Sequence, residues 1–231
     1  MKIKIATWNI NSIRLRENHV CSVLADYAPD IICLQELKAA TESVPTKKFE
    51  DLGYKYLVIR GQKGYNGVAI ISRIPIVDTG HFDYCLKGDA RHVSAILPNG
   101  VEIQNFYIPA GGDVADRKLN MKFGHKLDFL SEMKANFREK KLVKTILVGD
   151  LNIAPLENDV WNHKQLTKVV SHTPIEIDAL KSVLMAGDFI DITRKDLPDG
   201  LLYSWWSYRS PNWVTSDRGR RLDHIWATRD I

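Results

Sequence analysis

RHVSAILPNGVEIQNFYI, residues 91–108, is two apolar-rich runs joined by Pro98-Asn99-Gly100. Asn-Gly between such runs is a strong two-residue turn signal, because that turn needs positive φ at both central residues. The stretch therefore predicts two adjacent antiparallel strands, residues 91–97 and 101–108. Residues 54–60 and 67–72 read as two more neighbouring strands. Elsewhere strands alternate with helices. Ile3, Ile5 and Thr7 alternate with polar neighbours up to Asn9. Ser12 then reads as the cap of a helix over 13–26, with Val20, Val23, Leu24 and Tyr27 at helical spacing. Asp30-Ile31-Ile32-Cys33-Leu34 is a short buried strand. Residues 116–140 are helical, with Leu119, Phe123, Leu127, Leu130 and Met133 on one face. Residues 142–148 form a buried strand running into Asp150, residues 174–186 a further helix, and 222–227 a last strand. Strands that come both in adjacent runs and between helices imply a four-layer α/β sandwich. Two mixed β-sheets would pack face to face, with helices outside. No repeat or Pro/Ser-rich linker interrupts the 231 residues, so one domain, 1–231, is expected.

Composition sets outer limits. A hydrophobic fraction of 45% and a charged fraction of 26% are ordinary for a soluble globule. A chain of this length buries roughly 70% or more of its unfolded surface and needs no staples. The net charge of +4 permits a polyanionic partner without requiring one. Cys21, Cys33 and Cys85 are odd in number and form no C-x-x-C pair, which implies free thiols and a reducing compartment. The N-terminus has no apolar signal-peptide core, and no apolar run approaches the ~20 residues of a membrane span. A cytoplasmic protein with no membrane partner is expected.

Five polar tips end apolar runs: Trp8-Asn9-Ile10-Asn11, Leu34-Gln35-Glu36, Tyr65-Asn66-Gly67, Gly149-Asp150-Leu151-Asn152 and Arg221-Leu222-Asp223-His224. Each places a hard oxygen at the rim of a sheet. Several rims together suit magnesium, which takes one or two carboxylates plus waters and substrate phosphate oxygens. That is the pattern of a metal-assisted phosphodiesterase. Asp150 and Asn152 are two apart and share a face if the backbone stays extended; the plainer alternative is an Asx-turn closing a strand. Tyr203, Trp205, Trp206, Tyr208 and Trp213 are interleaved with Arg209 and followed by Arg218, Arg220 and Arg221. This segment is either a core cluster with solvated arginines or an aromatic wall with phosphate contacts.

Taken in order, these motifs carry a resemblance. Trp8-Asn9-Ile10-Asn11-Ser12-Ile13-Arg14, Leu34-Gln35-Glu36, Gly61-Gln62-Lys63-Gly64-Tyr65-Asn66-Gly67-Val68-Ala69, Tyr107-Ile108-Pro109 and Gly149-Asp150-Leu151-Asn152-Ile153-Ala154-Pro155 resemble the exonuclease III family of abasic-site endonucleases. So do Tyr203-Ser204-Trp205-Trp206-Ser207-Tyr208-Arg209 and residues 219–225. That family lies within the endonuclease/exonuclease/phosphatase superfamily, and the match runs from residue 3 to 228. The resemblance implies a Mg²⁺-dependent DNA-repair nuclease, with Mn²⁺ as substitute. It would act as a monomer on double-stranded DNA with abasic sites or 3′ ends. Glu36 would be the metal ligand, with Asn9 supporting metal or phosphate. Asp150 would orient and deprotonate the attacking water, and Asn152 would hold that aspartate or the phosphate. Tyr107 would donate to a phosphate oxygen, and Asp223 matches the acid that pairs with a late histidine. Asn66, Arg91, Trp205, Trp206, Arg209, Arg220 and Leu222 match positions facing DNA. The aromatic wall would receive a sugar without its base, extruded where pairing is already lost. Arg220 departs from the family, which offers an apolar residue there.

The family pattern closes on a Ser-Asp-His-x-Pro segment, which these residues do not include. A shortened chain, reduced activity, an unpaired Asp223 and an exposed sheet edge are the expectations that follow. His224 cannot supply the missing group, since alternation points it away from the face of Asp223. Two other readings remain: a phosphoinositide or sphingolipid phosphodiesterase of the same superfamily, and a non-catalytic abasic-DNA-binding protein.

Overall fold

The structure, a computed structural model, describes residues 2–231. Two compact units are distinguishable by their internal contacts: residues up to Tyr107 with Lys144–Asp150, and Ile108–Val143 with Leu151–Ile231.

The first unit holds a four-stranded sheet in the order β1 (Ile5–Asn9), β2 (Ile31–Gln35), β4 (Val68–Ser72), β3 (Tyr56–Arg60). β1 and β2 run parallel, joined by the crossover helix α1 (Ile13–Asp26); β4 is antiparallel to both β2 and β3. Every residue of β2 and β4 is buried, which is why both read as unbroken apolar runs. Ile32, Leu34, Ala69 and Ile71 pack with Ile13, Val20 and Leu24 of α1 and Phe49 of α2 (Thr46–Asp51). The alternate residues face a second ladder of β5 (Val77–Gly80), β6 (His92–Ile96), β7 (Glu102–Tyr107) and β8 (Thr145–Asp150). β5–β6 and β6–β7 are antiparallel, and β7–β8 is parallel. Across the interface Gln35 Nε2 donates to Asn105 Oδ1 at 2.7 Å, and Asn105 Nδ2 donates to the Leu34 and Ala69 carbonyls. These bonds satisfy the Asn105 amide and the Gln35 Nε2, while Gln35 Oε1 stays buried without a partner among the described residues. The expected face-to-face pair of mixed sheets is present. Gly149 lets β8 approach β7: its φ is +143, and a Cβ there would lie 1.9 Å from the Phe106 carbonyl oxygen.

The second unit packs α3 (Met121–Lys140) on α5 (Pro174–Ala186), beside an antiparallel pair of β9 (Phe189–Asp191) and β10 (Asp223–Thr228). Short helices α4 (His163–Leu166), α6 (Ile192–Asp196) and α7 (Trp213–Ser216) complete it. α3 begins five residues later than its spacing suggests. The Asp116 carboxylate accepts from the Lys118 and Leu119 amides, forming a local turn, and Asn120 caps the helix instead. Leu119 is consequently exposed and is not part of the inner face. Ser12 has φ 97 and makes no side-chain cap; its N–H bonds the Glu36 carbonyl at 2.7 Å, tying two rim loops together. Among the described residues no helix is long and apolar enough to cross a membrane.

Candidate active site

The parallel pairs β1–β2 and β7–β8 bring four functional side chains together. Register places Asn9 beside Gln35 and Tyr107 beside Asp150, so each pair ends at its carboxyl terminus on a polar residue. Glu36 follows directly. Asn9 Nδ2 donates to Glu36 Oε1 at 3.0 Å and to Asp150 Oδ2 at 2.8 Å. Tyr107 OH donates to Glu36 Oε1 at 2.7 Å. One amide thus clamps two carboxylates that are 114 residues apart in sequence (150 − 36). Asn9 is oriented as a positioner, because its Oδ1 accepts from the Asn11 N–H at 3.1 Å.

The rim is backbone-strained. Asn11, Ser12, Glu36, Lys38 and Asn66 all take positive φ, a conformation costly for residues with a Cβ and concentrated at functional sites. In this conformation Lys38 folds back onto Glu36, with Nζ 2.7 Å from Oε2, and it also donates to Asn11 Oδ1. Burial pushes the Glu36 carboxyl up, but hydrogen bonds from Asn9, Lys38 and Tyr107 outweigh it, and the net shift is downward. Glu36 is therefore an anion at neutral pH. Burial, followed by the charges of Glu36 and Asp150, drives the Tyr107 hydroxyl far above its ordinary value, so it stays a proton donor. Arg91 lies 4.9 Å over the Tyr107 ring and donates to the Tyr107 carbonyl. Asn66 donates to Gln62 Oε1 and accepts from the Lys38 N–H. Sequence reasoning missed Lys38, although its position two residues beyond Glu36 was visible.

In the second unit Asn152 takes φ 54, and its Nδ2 donates to the Ile108 carbonyl. Its own carbonyl accepts from Lys126 Nζ at 2.8 Å. Lys126 is wholly buried and pairs at 2.5 Å with Glu176, equally buried, which also takes the Ser171 and Thr173 amides. Leu222 accepts at its carbonyl from the Leu151 N–H, and Ser204 Oγ takes the Leu222 and Asp223 amides. Asp223 Oδ1 is sealed from solvent without a hydrogen-bond partner, and burial raises the carboxyl to about 6. His224 faces elsewhere, as alternation requires: its Nε2 meets the Ile153 carbonyl and its Nδ1 meets Arg221. It is a structural residue.

Arg220 and Trp205 form a two-way backbone bridge at 2.9 Å. The Arg220 guanidinium is held by the Val170 carbonyl at 2.9 Å and Ser171 Oγ at 2.7 Å, and lies 5.7 Å from the Trp205 ring centre. Trp205, Trp206, Arg209 and Arg220 all line one cavity of about 680 Å³. The aromatic segment is a pocket wall, and Trp205 also packs on an apolar cluster with Ala154, Val160 and Trp161.

A profile of the endonuclease/exonuclease/phosphatase family matches residues 6–231. An exodeoxyribonuclease III from Haemophilus influenzae is 30% identical, over 96% of this chain and 86% of that one. The chain belongs to the exonuclease III branch of this family. An AP endonuclease from Archaeoglobus fulgidus superposes with a TM-score of 0.90 at 31% identity, covering 98% of this chain and 87% of the other. A 3′ phosphatase from Neisseria, solved with a product DNA hairpin, gives 0.89 at 31% identity over 99% and 87%. As a member of the exonuclease III branch the chain is a nuclease-type hydrolase, and the rim of the first unit gathers two carboxylates, a phenol and an amide.

Proposed function

We propose that the chain is a magnesium-dependent nuclease that hydrolyses the phosphodiester 5′ to abasic sites in duplex DNA and trims 3′ ends. The observation that carries this reading is the Asn9 amide shared by Glu36 and Asp150. Two carboxylates held that close concentrate negative charge at one rim, where a tethered ammonium already sits on Glu36. Among the described residues no three His, Cys, Asp or Glu side chains cluster for a metal. An all-protein cage is therefore not offered, but magnesium needs only one or two carboxylates beside waters and phosphate oxygens. Glu36 and Asp150 fit that requirement, with Mn²⁺ as substitute. A divalent ion held there would stabilise charge on the non-bridging oxygens and on the departing sugar oxygen.

The chain's own groups do the rest. Asp150, fixed by Asn9, receives the proton of the water that attacks phosphorus as the bond to the sugar oxygen breaks. Tyr107, which keeps its proton, would turn it from Glu36 Oε1 to a phosphate oxygen when substrate is bound. Arg91 and Arg209 contact the DNA backbone, and such contacts position without reading sequence. Free cysteines and a family match running through both units support a cytoplasmic, monomeric protein acting as one domain.

The test offers three substrates in Mg²⁺ and in EDTA: a duplex with a synthetic abasic site, a duplex with a recessed 3′ end, and phosphoinositide vesicles. DNA cleavage that requires Mg²⁺ and no headgroup release is expected. Headgroup release alone, or abasic-DNA binding without cleavage, would replace this reading with one of its two rivals.

A further inference from the structure

Lys126 of α3 and Glu176 of α5 are both wholly buried, and Nζ meets Oε1 at 2.5 Å. A buried pair of this kind adds little to stability over well-packed apolar residues of the same volume. Its reason lies in what it holds. Nζ also donates to the Asn152 carbonyl at 2.8 Å and to the Ala110 carbonyl at 3.3 Å. Ala110 stands three residues beyond Tyr107 in the chain, and Asn152 two beyond Asp150. One ammonium thus ties together the backbone segments that follow those two side chains.

Asn152 needs such a tie. Its φ of 54 is strained for a residue with a Cβ, and such a conformation persists only where the surroundings over-determine it. Here the restraint is double. Nδ2 donates to the Ile108 carbonyl at 2.9 Å, and the peptide carbonyl accepts from Lys126. Ile108 and Ala110 belong to one loop, so the side chain and backbone of Asn152 share a support. That loop lies against the lysine stem: a Cβ at Gly111 would stand 3.0 Å from Lys126 Cδ. Glu176 is fixed from its own side, because its Oε2 takes the Ser171 and Thr173 amides and the Thr173 hydroxyl. The contacts therefore run from the cap of α5 through Glu176 and Lys126 to Asn152.

We infer that Lys126, seated on Glu176, is a positioning residue that sets the conformation of Asn152 and so the aim of its amide. The inference rests on the nuclease reading above, which gives Asn152 a phosphate oxygen to hold. Being wholly buried, Lys126 acts on the reaction only through the backbone it holds.

The test replaces the whole pair, Lys126→Met with Glu176→Gln, so that neither charge is left buried alone. A glutamine oxygen in the place of Oε2 keeps the three bonds of the helix cap. Urea should therefore unfold this variant near the parent's midpoint. On a duplex with a synthetic abasic site in Mg²⁺, kcat should fall by about a hundredfold, the scale of a small misplacement, with KM unchanged. In an Asn152→Ala background the same replacement should cost nothing further, because it acts through the side chain already removed. With asparagine side chains labelled by ¹⁵N, the pair variant should shift or broaden the Asn152 signal and leave that of Asn105, in the first unit, in place.

An unchanged kcat in the folded pair variant, or a fall that persists in full without the Asn152 side chain, would overturn the inference. A pair variant that does not fold would do the same, since the pair would then be holding the fold. The labelled signal separates this failure from that of the nuclease reading. A moved Asn152 signal in a chain whose parent cleaves no DNA would keep the positioning role and remove the nuclease reading. Cleavage by the parent with an unmoved signal in the variant would do the reverse.

Discussion

Asp150→Asn should lower single-turnover cleavage of abasic duplex by about a thousandfold or more, within the range set by removing a general base or an intermediate of the reaction's charge stabilisation. The side chain is almost fully buried at the end of β8 and accepts from Asn9 at 2.8 Å. An amide of the same shape fills that space but has no basic oxygen for the proton of water. Folding should be retained. DNA should bind at least as tightly, because one negative charge is removed from the rim. A rate equal to the parent's would show that the base lies elsewhere; loss of binding together with rate would assign Asp150 to substrate contact.

Asp159→Ala should destabilise the fold by about 4 kcal/mol, since removing one partner of a buried ion pair leaves uncompensated charge. Asp159 is completely buried and accepts from Arg194 Nη2 at 2.6 Å and Arg221 Nε at 2.8 Å, with Arg221 Nη2 on its second oxygen. Arg221 continues to Asp191, whose carboxyl is itself held below the ordinary range. There burial acts upward, and His224 and Arg221 overcome it. Urea unfolding at constant m-value measures the loss. The exposed Arg229–Asp188 pair is the comparison; its removal should change stability by less than about 1 kcal/mol. Equal small effects at both sites would show that the buried network is not holding Arg221 and the adjoining Leu222 and Asp223.

What the sequence disclosed follows physical lines. Buried strands such as Ile31–Gln35 announce themselves because both faces are apolar, and their ends then locate Asn9, Glu36 and Asp150. The helix Pro174–Ala186 was legible to the residue: Thr173 and Glu176 form a capping box, and Pro174 fills the first turn. Strands β5 and β9 were not. Val77-Asp78-Thr79-Gly80 is largely exposed and polar, and Phe189-Ile190-Asp191 is too short for a period to register. The buried charges were hidden for another reason. Lys126 and Asp159 have the residue types of a solvated surface, and they are neutralised by partners distant in sequence, 50 residues away for Lys126 and 35 and 62 for Asp159. The aromatic segment read as a wall rather than a core cluster because two adjacent tryptophans cannot both face inward on a strand, and the cavity lies along it. Asp150 and Asn152 were legible as two polar residues beyond a buried strand, but the positive φ of Asn152 and the bond from its Nδ2 to the Ile108 carbonyl were not.

Glu36 and Asp150, gathered at one rim, are proposed to hold a single divalent ion. Mn²⁺ titration of the chain without DNA, read by electron paramagnetic resonance, tests it most directly. The parent should bind a single Mn²⁺, and Glu36→Gln should weaken that binding by about tenfold or more. Unchanged Mn²⁺ affinity and stoichiometry in Glu36→Gln would contradict it.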